Sequence, residues 1–218
     1  MSVSIRILMQ LAAVFAFAFP AMAEPILDQS QLMADQTVAI HSTISSPVAR
    51  VGQTFTVGID GLLDSIELSL SETGSGGDLV VNILDMSGGD LSLAPSLGGV
   101  SIAEMDLGPF VLSLSATSVT ATLIDLSSLG IDVNVVDVLA VDLSTSRALP
   151  NLYGVRRQIS SDEYAGGAHF AGNSFISSGA DDLAFKTFVT PVPIPPAVWL
   201  FGSGLLGLVG MARRKKTV

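Results

Sequence analysis

No cysteine occurs anywhere in the 218 residues, which excludes a disulfide scaffold, a thiol nucleophile and any Cys-ligated zinc or iron–sulfur centre. Histidine is nearly missing too. His41 and His169 lie far apart, and no G-x-S-x-G context accompanies either, so nucleophilic triad chemistry has no sequence support. Aromatic residues make up only 6% of the chain, with one Trp and two Tyr, too few to line a deep sugar cleft. Bases are scarce where they would matter. Between Glu24 and Thr190 lie all 20 acids but only five bases (Arg50, Arg147, Arg156, Arg157 and Lys186), a net charge of −15. Such a segment repels phosphate backbones, so a nucleic-acid partner is not expected. It favours solubility and attracts cations.

What is present is apolar. Hydrophobic residues reach 49% against 14% charged, which is not the composition of a disordered acidic tail. At about 150 residues per domain, the length allows one domain with accessory segments. The ends supply those segments. Residues 1–23 read as a secretory signal peptide: Arg6 is the positive n-region, residues 7–19 (ILMQLAAVFAFAF) are the apolar h-region, and Pro20 breaks the helix. Ala21 and Ala23 then form the small-x-small pattern that signal peptidase accepts, with cleavage before Glu24. These thirteen residues, all apolar but Gln10, fall short of the ~20 needed to span hydrocarbon.

At the other end, residues 190–196 (TPVPIPP) hold four prolines, which remove donors and fix φ, so an extended spacer is expected there. Sixteen residues without charge follow at 197–212 (AVWLFGSGLLGLVGMA). As a helix at 1.5 Å per residue they reach about 24 Å, a short membrane span that Trp199 and snorkelling bases can complete. Arg213, Arg214, Lys215 and Lys216 close the chain as a cytoplasmic stop cluster, leaving the central segment outside. Inside this stretch, residues 202–207 (GSGLLG) match the dinucleotide-binding spacing G-x-G-x-x-G. No strand precedes them and no βαβ unit surrounds them, so the match carries no cofactor chemistry.

The order of proline motif, glycine-rich apolar helix and terminal base cluster resembles the PEP-CTERM protein-sorting tail of Gram-negative bacteria. The motif runs through Val192, Pro193, Ile194, Pro195, Pro196, Ala197 and Trp199, and is similar to the VPLPA-type variants. The Glu of the eponymous Pro-Glu-Pro is absent. The resemblance covers residues 192–218 and implies an exosortase substrate. It further implies a transient inner-membrane anchor, delivery to the cell surface or matrix, and association with exopolysaccharide or biofilm.

Residues 24–190 are expected to fold as the exported domain. Alternation with period two marks strands at 54–59 (Phe55, Val57, Ile59 on one face) and 65–71 (Ile66, Leu68, Leu70). Further strands are expected at 79–84, 110–115, 119–125, 135–143 and 182–189, rich in Val, Ile and Thr and punctuated by Gly, Ser, Asp and Asn. The one helical turn suggested by the pattern lies at 28–35, and 87–99 reads as a long rim loop. With no crossover helices available, the expected fold class is all-β, an antiparallel β-sandwich of jelly-roll type. Residues 51–189 also resemble, more loosely, the lectin-like sandwich domains that precede such tails. The likeness rests on residues 53–58 (QTFTVG), 61–63 (GLL), 164–167 (YAGG) and 182–189 (DLAFKTFV), with Phe175 where relatives tend to carry Trp.

Three kinds of chemistry are weighed for this domain. Asp78, Asp85, Asp90, Asp181 and Asp182 offer hard oxygen ligands, with Asp181 and Asp182 the candidate Ca²⁺ pair; solvated turn acids are the plainer reading, since no D-x-D-x-D-G loop occurs. Tyr153, Arg156, Arg157 and Tyr164, beside Phe170 and Phe175, could form a polysaccharide-binding face; core packing is the favoured alternative, because aromatics are normally buried. Asp162 and Glu163 suggest the paired carboxylates of an envelope hydrolase. Neighbours on a strand point to opposite faces, so the two cannot serve as a catalytic pair by themselves. The sequence therefore leads to a non-enzymatic exported protein, without cofactor, whose partners are signal peptidase, exosortase, the inner membrane and exopolysaccharide. A carbohydrate-binding module is the second reading.

Overall fold

The computed structural model describes residues 23–41, 49–103, 120–159, 164–176 and 181–192. Residues 24–191 form one compact unit. Among the described residues the fold is all-β, and the single helical turn is a 3-10 turn at Ser127–Leu129. All pairings are antiparallel, in two sheets.

The first sheet is built on one long strand, β4 (Gly61–Thr73). Its pairs are β14 (Phe185–Pro191), β10 (Leu152–Gln158), β7 (Thr120–Asp125) and β8 (Asp132–Val133). Beyond these lie β1 (Ile26–Gln31) on β14, and β2 (Gln36–Ile40) and β13 (Asp182–Leu183) on β10. The second sheet runs β12 (Ser174–Phe175), β11 (His169–Ala171), β3 (Ala49–Thr56), β9 (Val138–Thr145), β5 (Leu79–Asp85) and β6 (Ser96–Ile102).

Period-two alternation puts Phe55 from β3 and Val57 just after it, Val81 and Ile83 from β5, and Val141 and Leu143 from β9 on the inner face of the second sheet. They meet Ile66, Leu68, Leu70, Val155, Phe185 and Val189 from the first, and the two faces share one core. That is the layered arrangement of a sandwich. Each such large side chain contributes roughly 1.5–3 kcal/mol by leaving water. A register shift between Phe188 and Val189, opposite Ser65 and Leu63, inserts a bulge into β4. The bulge lets both Leu63 and Ile66 face inward although they stand three positions apart, an odd spacing that plain alternation would send to opposite faces. Phe185 joins the sheets through aromatic contacts, 6.1 Å from Phe55 and 5.1 Å from Tyr164, the latter edge-on.

Several expected elements are corrected. Residues 28–31, expected in a helical turn, belong to strand β1, where Gly58 N–H donates to Asp28 Oδ1 (2.9 Å) and so tolerates the acid in a strand. The last four residues of the expected rim loop at 87–99 begin β6 instead: Gly99 leaves the space above Val81 and Asn82 that pairing with β5 requires. The strand expected at 135–143 starts only at Val138, because residues 134–137 make a tight turn with Asp137 N–H bonded to Asn134 O. Strand 182–189 is split at Ala184 into β13 and β14, and the strand expected at 110–115 lies outside the described residues. Strands β1, β2, β10, β11 and β12 were not anticipated by alternation.

Candidate functional site

The residues expected to carry processing lie at the two ends of the domain, and strand pairing brings those ends together. Ile26 pairs with Val189 and Leu27 with Phe188. Gln29 N–H donates to Thr187 Oγ1 (3.1 Å). On the far side of β14, Pro191 pairs with Gly61 and Thr190 with Leu62. A side chain at Gly61 would run into the Thr190 carbonyl, so only glycine lets the last residues of β14 close onto the sheet. Glu24, after the expected signal cut, is exposed, and so is Val192, the first residue of the sorting motif, at 62%. Ala23 is half-buried. Ala21, Pro193, Ile194, Pro195, Pro196, Ala197, Trp199, Arg213, Arg214, Lys215 and Lys216 lie outside the described residues. Among the described residues no helix is long and apolar enough to cross a membrane.

The glycan face drawn from Tyr153, Arg156, Arg157 and Tyr164 does not form. Tyr153 is 1% exposed in the core, where its hydroxyl donates to Gly77 O (3.0 Å). Tyr164 is 8% exposed; its hydroxyl accepts from Thr56 N–H and donates to Gln29 Oε1 (3.2 Å). Burial pushes the Tyr164 phenol above its ordinary pKa, with Asp28 and Asp182 adding to the rise. Neither ring can stack on a sugar. Arg156 is buried with Nη2 on Ala34 O (3.1 Å), and Arg157 is bonded to Asp181 and Gln36. Phe170 is buried against Arg50, and Phe175 meets it edge-on at 6.3 Å.

Asp181 and Asp182 are buried, but what surrounds them is donors. Arg157 Nη1 stands 2.9 Å from Asp181 Oδ2, and His169 Nδ1 3.2 Å from Oδ1. Gln53 Nε2 and Tyr164 N–H donate to the two oxygens of Asp182 (2.9 and 3.1 Å). Gln53 Oε1 in turn accepts from Leu183 N–H (3.0 Å). The pair is a polar seam joining β3 and β11 of one sheet to β10 and β13 of the other. Three of the four carboxylate oxygens are thus bonded to a guanidinium or an N–H donor, and Asp181 Oδ1 is left facing the imidazole without a hydrogen bond, a setting of donors rather than of further oxygen ligands. Among the described residues no three His, Asp or Glu side chains converge as metal ligands. Asp85 and Asp90 each cap a turn two residues on, at Ser87 N–H and Ser92 N–H (both 2.8 Å), and Asp78 accepts from Ser101 Oγ. Asp162 and Glu163 lie outside the described residues, and His41 is half-buried and far from His169 in sequence.

Sequence reasoning missed two polar clusters. Arg147, at 2% exposure, is paired with Glu72 (3.0 Å), donates from Nε to Gly77 O (3.0 Å) and lies 4.0 Å over the Tyr153 ring. On the outer face of the second sheet Arg50 donates to Asp142 (3.0 Å) and to Asn173 (2.9 Å). Burial raises the Asp142 carboxyl above the usual carboxylate range, partly offset by Arg50 and Asn82. The only sequence signal for either was a lone base in an acidic segment. No protein-family model matches the chain, and no curated protein matches it.

Proposed function

We propose that this chain is a non-enzymatic exported protein. In this reading signal peptidase cuts before Glu24, the tail from Val192 to Val218 holds the chain in the inner membrane for a time, and an exosortase then processes it for the cell surface or matrix. The observation that supports the reading is the pairing of β1 with β14. The folded unit begins within a few residues of the first cut and ends at Pro191, one residue before the sorting motif. Both cuts therefore spare every strand, and the product keeps the whole core described above. Deleting residues 192–218 and fractionating cells tests the sorting role. The expected result is loss of membrane association and of surface delivery; unchanged localisation of the truncated chain would refute it.

A lectin-like role in a jelly-roll sandwich is the second reading, and one feature favours it. A hollow of about 500 Å³ is lined by Asp78, Ser101, Ser144, Thr145 and Ser146, side chains that can exchange hydrogen bonds with sugar hydroxyls. With Tyr153 and Tyr164 buried, any glycan contact would be made there rather than on the aromatic face. Retention of the chain on matrix polysaccharide, lost in Ser144→Ala/Ser101→Ala, would support it; no retention on any matrix polysaccharide would rule it out.

A further inference from the structure

The pole of the domain from which the tail leaves has an unusual tip. Pro191 pairs with Gly61, and Gly61 on its other side with Val133. Two residues on, the turn at 134–137 projects Val135 and Val136, 45% and 74% exposed. Val136 sits at φ 75°, left-handed backbone that a β-branched residue adopts only under strain. The turn is pinned in that state from three sides. Asp60 Oδ1 accepts from Val135 N–H (2.6 Å), Asp137 Oδ2 from Asn134 N–H (2.8 Å), and Val57 O from Val136 N–H (2.9 Å). Glycine or asparagine would fill this position without strain and without an exposed apolar surface. Leu62, Ile26 and Leu27, at 37%, 45% and 50% exposure, add apolar surface on the strands beside it.

Chain length says what this tip meets. Only residues 192–196 separate Pro191 from the uncharged segment that begins at Ala197. At the rise of the extended spacer that their prolines lead one to expect, five residues can reach about 15 Å. A headgroup layer takes about 5–8 Å of that, so the domain cannot stand far above the bilayer. We propose that the Val135–Val136 turn, with Leu62 beside it, rests in the headgroup layer of the membrane that holds the tail, and steadies the domain there before processing. The assignment rests on the anchoring reading above. The charge of this pole selects the lipid. Exposed Asp60 and Asp132 flank the turn, which suits the ammonium groups of zwitterionic headgroups and disfavours an anionic surface.

The absence of native cysteine makes the test direct. The full chain carrying Val136→Cys or, at the opposite end of the strands, Ser75→Cys is labelled with a polarity-sensitive fluorophore. It is then reconstituted in vesicles of phosphatidylethanolamine and phosphatidylcholine. The expected result is a blue-shifted emission at position 136 that a headgroup-attached spin label quenches, and neither effect at position 75. Val136→Gly, which keeps the turn's backbone, is expected to reduce the blue shift of a label at position 135. Vesicles that float with the chain while positions 136 and 75 give the same water-like emission would overturn the contact and leave the anchoring intact. A chain that does not float with vesicles would refute the anchoring reading and the contact with it. A blue shift undiminished in purely anionic vesicles would overturn the headgroup assignment.

Discussion

Arg147 is the side chain whose loss the fold should feel most for its size. It is wholly enclosed, its guanidinium lies 4.0 Å over the Tyr153 ring, its Nη2 stands 3.0 Å from Glu72, and its Nε–H bonds the Gly77 carbonyl at 3.0 Å. Replacement by Met keeps the aliphatic stem and removes all three contacts together. The hydrogen bond from a charged donor contributes about 1.5–3 kcal/mol and a desolvated cation–π contact up to about 2. These do not add freely, and breaking one partner of a buried pair typically costs about 3–5 kcal/mol. The lower figure is the better one here, because the Glu72 side chain keeps 12% exposure and can take up some water. For a domain of this length a loss of about 3 kcal/mol lowers the midpoint of thermal unfolding by roughly 6–12 °C. Arg147→Met is measured by urea unfolding followed by circular dichroism and by calorimetry. Glu72→Gln and the double variant complete a cycle. The expected double variant recovers part of the loss, since the carboxylate no longer lies beside an absent cation. A single variant costing under about 1 kcal/mol, or strictly additive losses, would refute the account of Arg147 as a buried, coupled cation.

Outcomes at four further sites follow from particular contacts. Gly52→Ala should destabilise by about 1–3 kcal/mol or more in urea unfolding, because its methyl would meet the Phe170 ring and the Val141 carbonyl. Phe170→Leu should recover only part of that loss, since the carbonyl cannot move aside. Val136→Gly should raise stability by about 1 kcal/mol by relieving left-handed strain, measured in solution without lipid; a loss would mean that the turn is not strained at Val136. The Asp142 carboxyl titrates above its unfolded value, so the folded state holds that proton more tightly. Its contribution to stability is therefore fully present below the unfolded pKa and lost as pH rises through the folded one. Asp142→Asn should remove this component, so that the stability difference between variant and parent changes only across that acid window. Asp125, whose carboxyl is lowered by the Ser127 hydroxyl and N–H, should show the opposite sign, losing its contribution as pH falls.

How much of this was written in the sequence depends on whether a residue's role is decided by its neighbours in the chain or by partners far away. The alternation of Ile66, Leu68 and Leu70 is local, and the sandwich-type core could be anticipated from it and from Phe55, Val57 and the 182–189 run. The bulge that turns Leu63 inward is a property of register against β14, more than 120 residues away, and has no local sign. Strand β10 was hidden because adjacent Arg156 and Arg157 read as surface charge. In the fold one is held by the Ala34 carbonyl and the other by Asp181, partners just before β2 and β13, from opposite ends of the domain's sequence. Long-range partners place Tyr153 and Tyr164 in the core, the reading the sequence favoured over a sugar-stacking face, and make Asp181 and Asp182 neither a cation site nor solvated turn acids but a seam of charge and amide contacts. A polar residue in this chain is thus no guide to the surface. Buried polar groups need their hydrogen bonds met, and the fold meets them by crossing between sheets. The two ends obey the converse logic. The patterns that suggest a signal and a tail are local to the sequence, whereas the antiparallel pairing of Ile26 with Val189 closes the fold between them and could be seen only once the register was known.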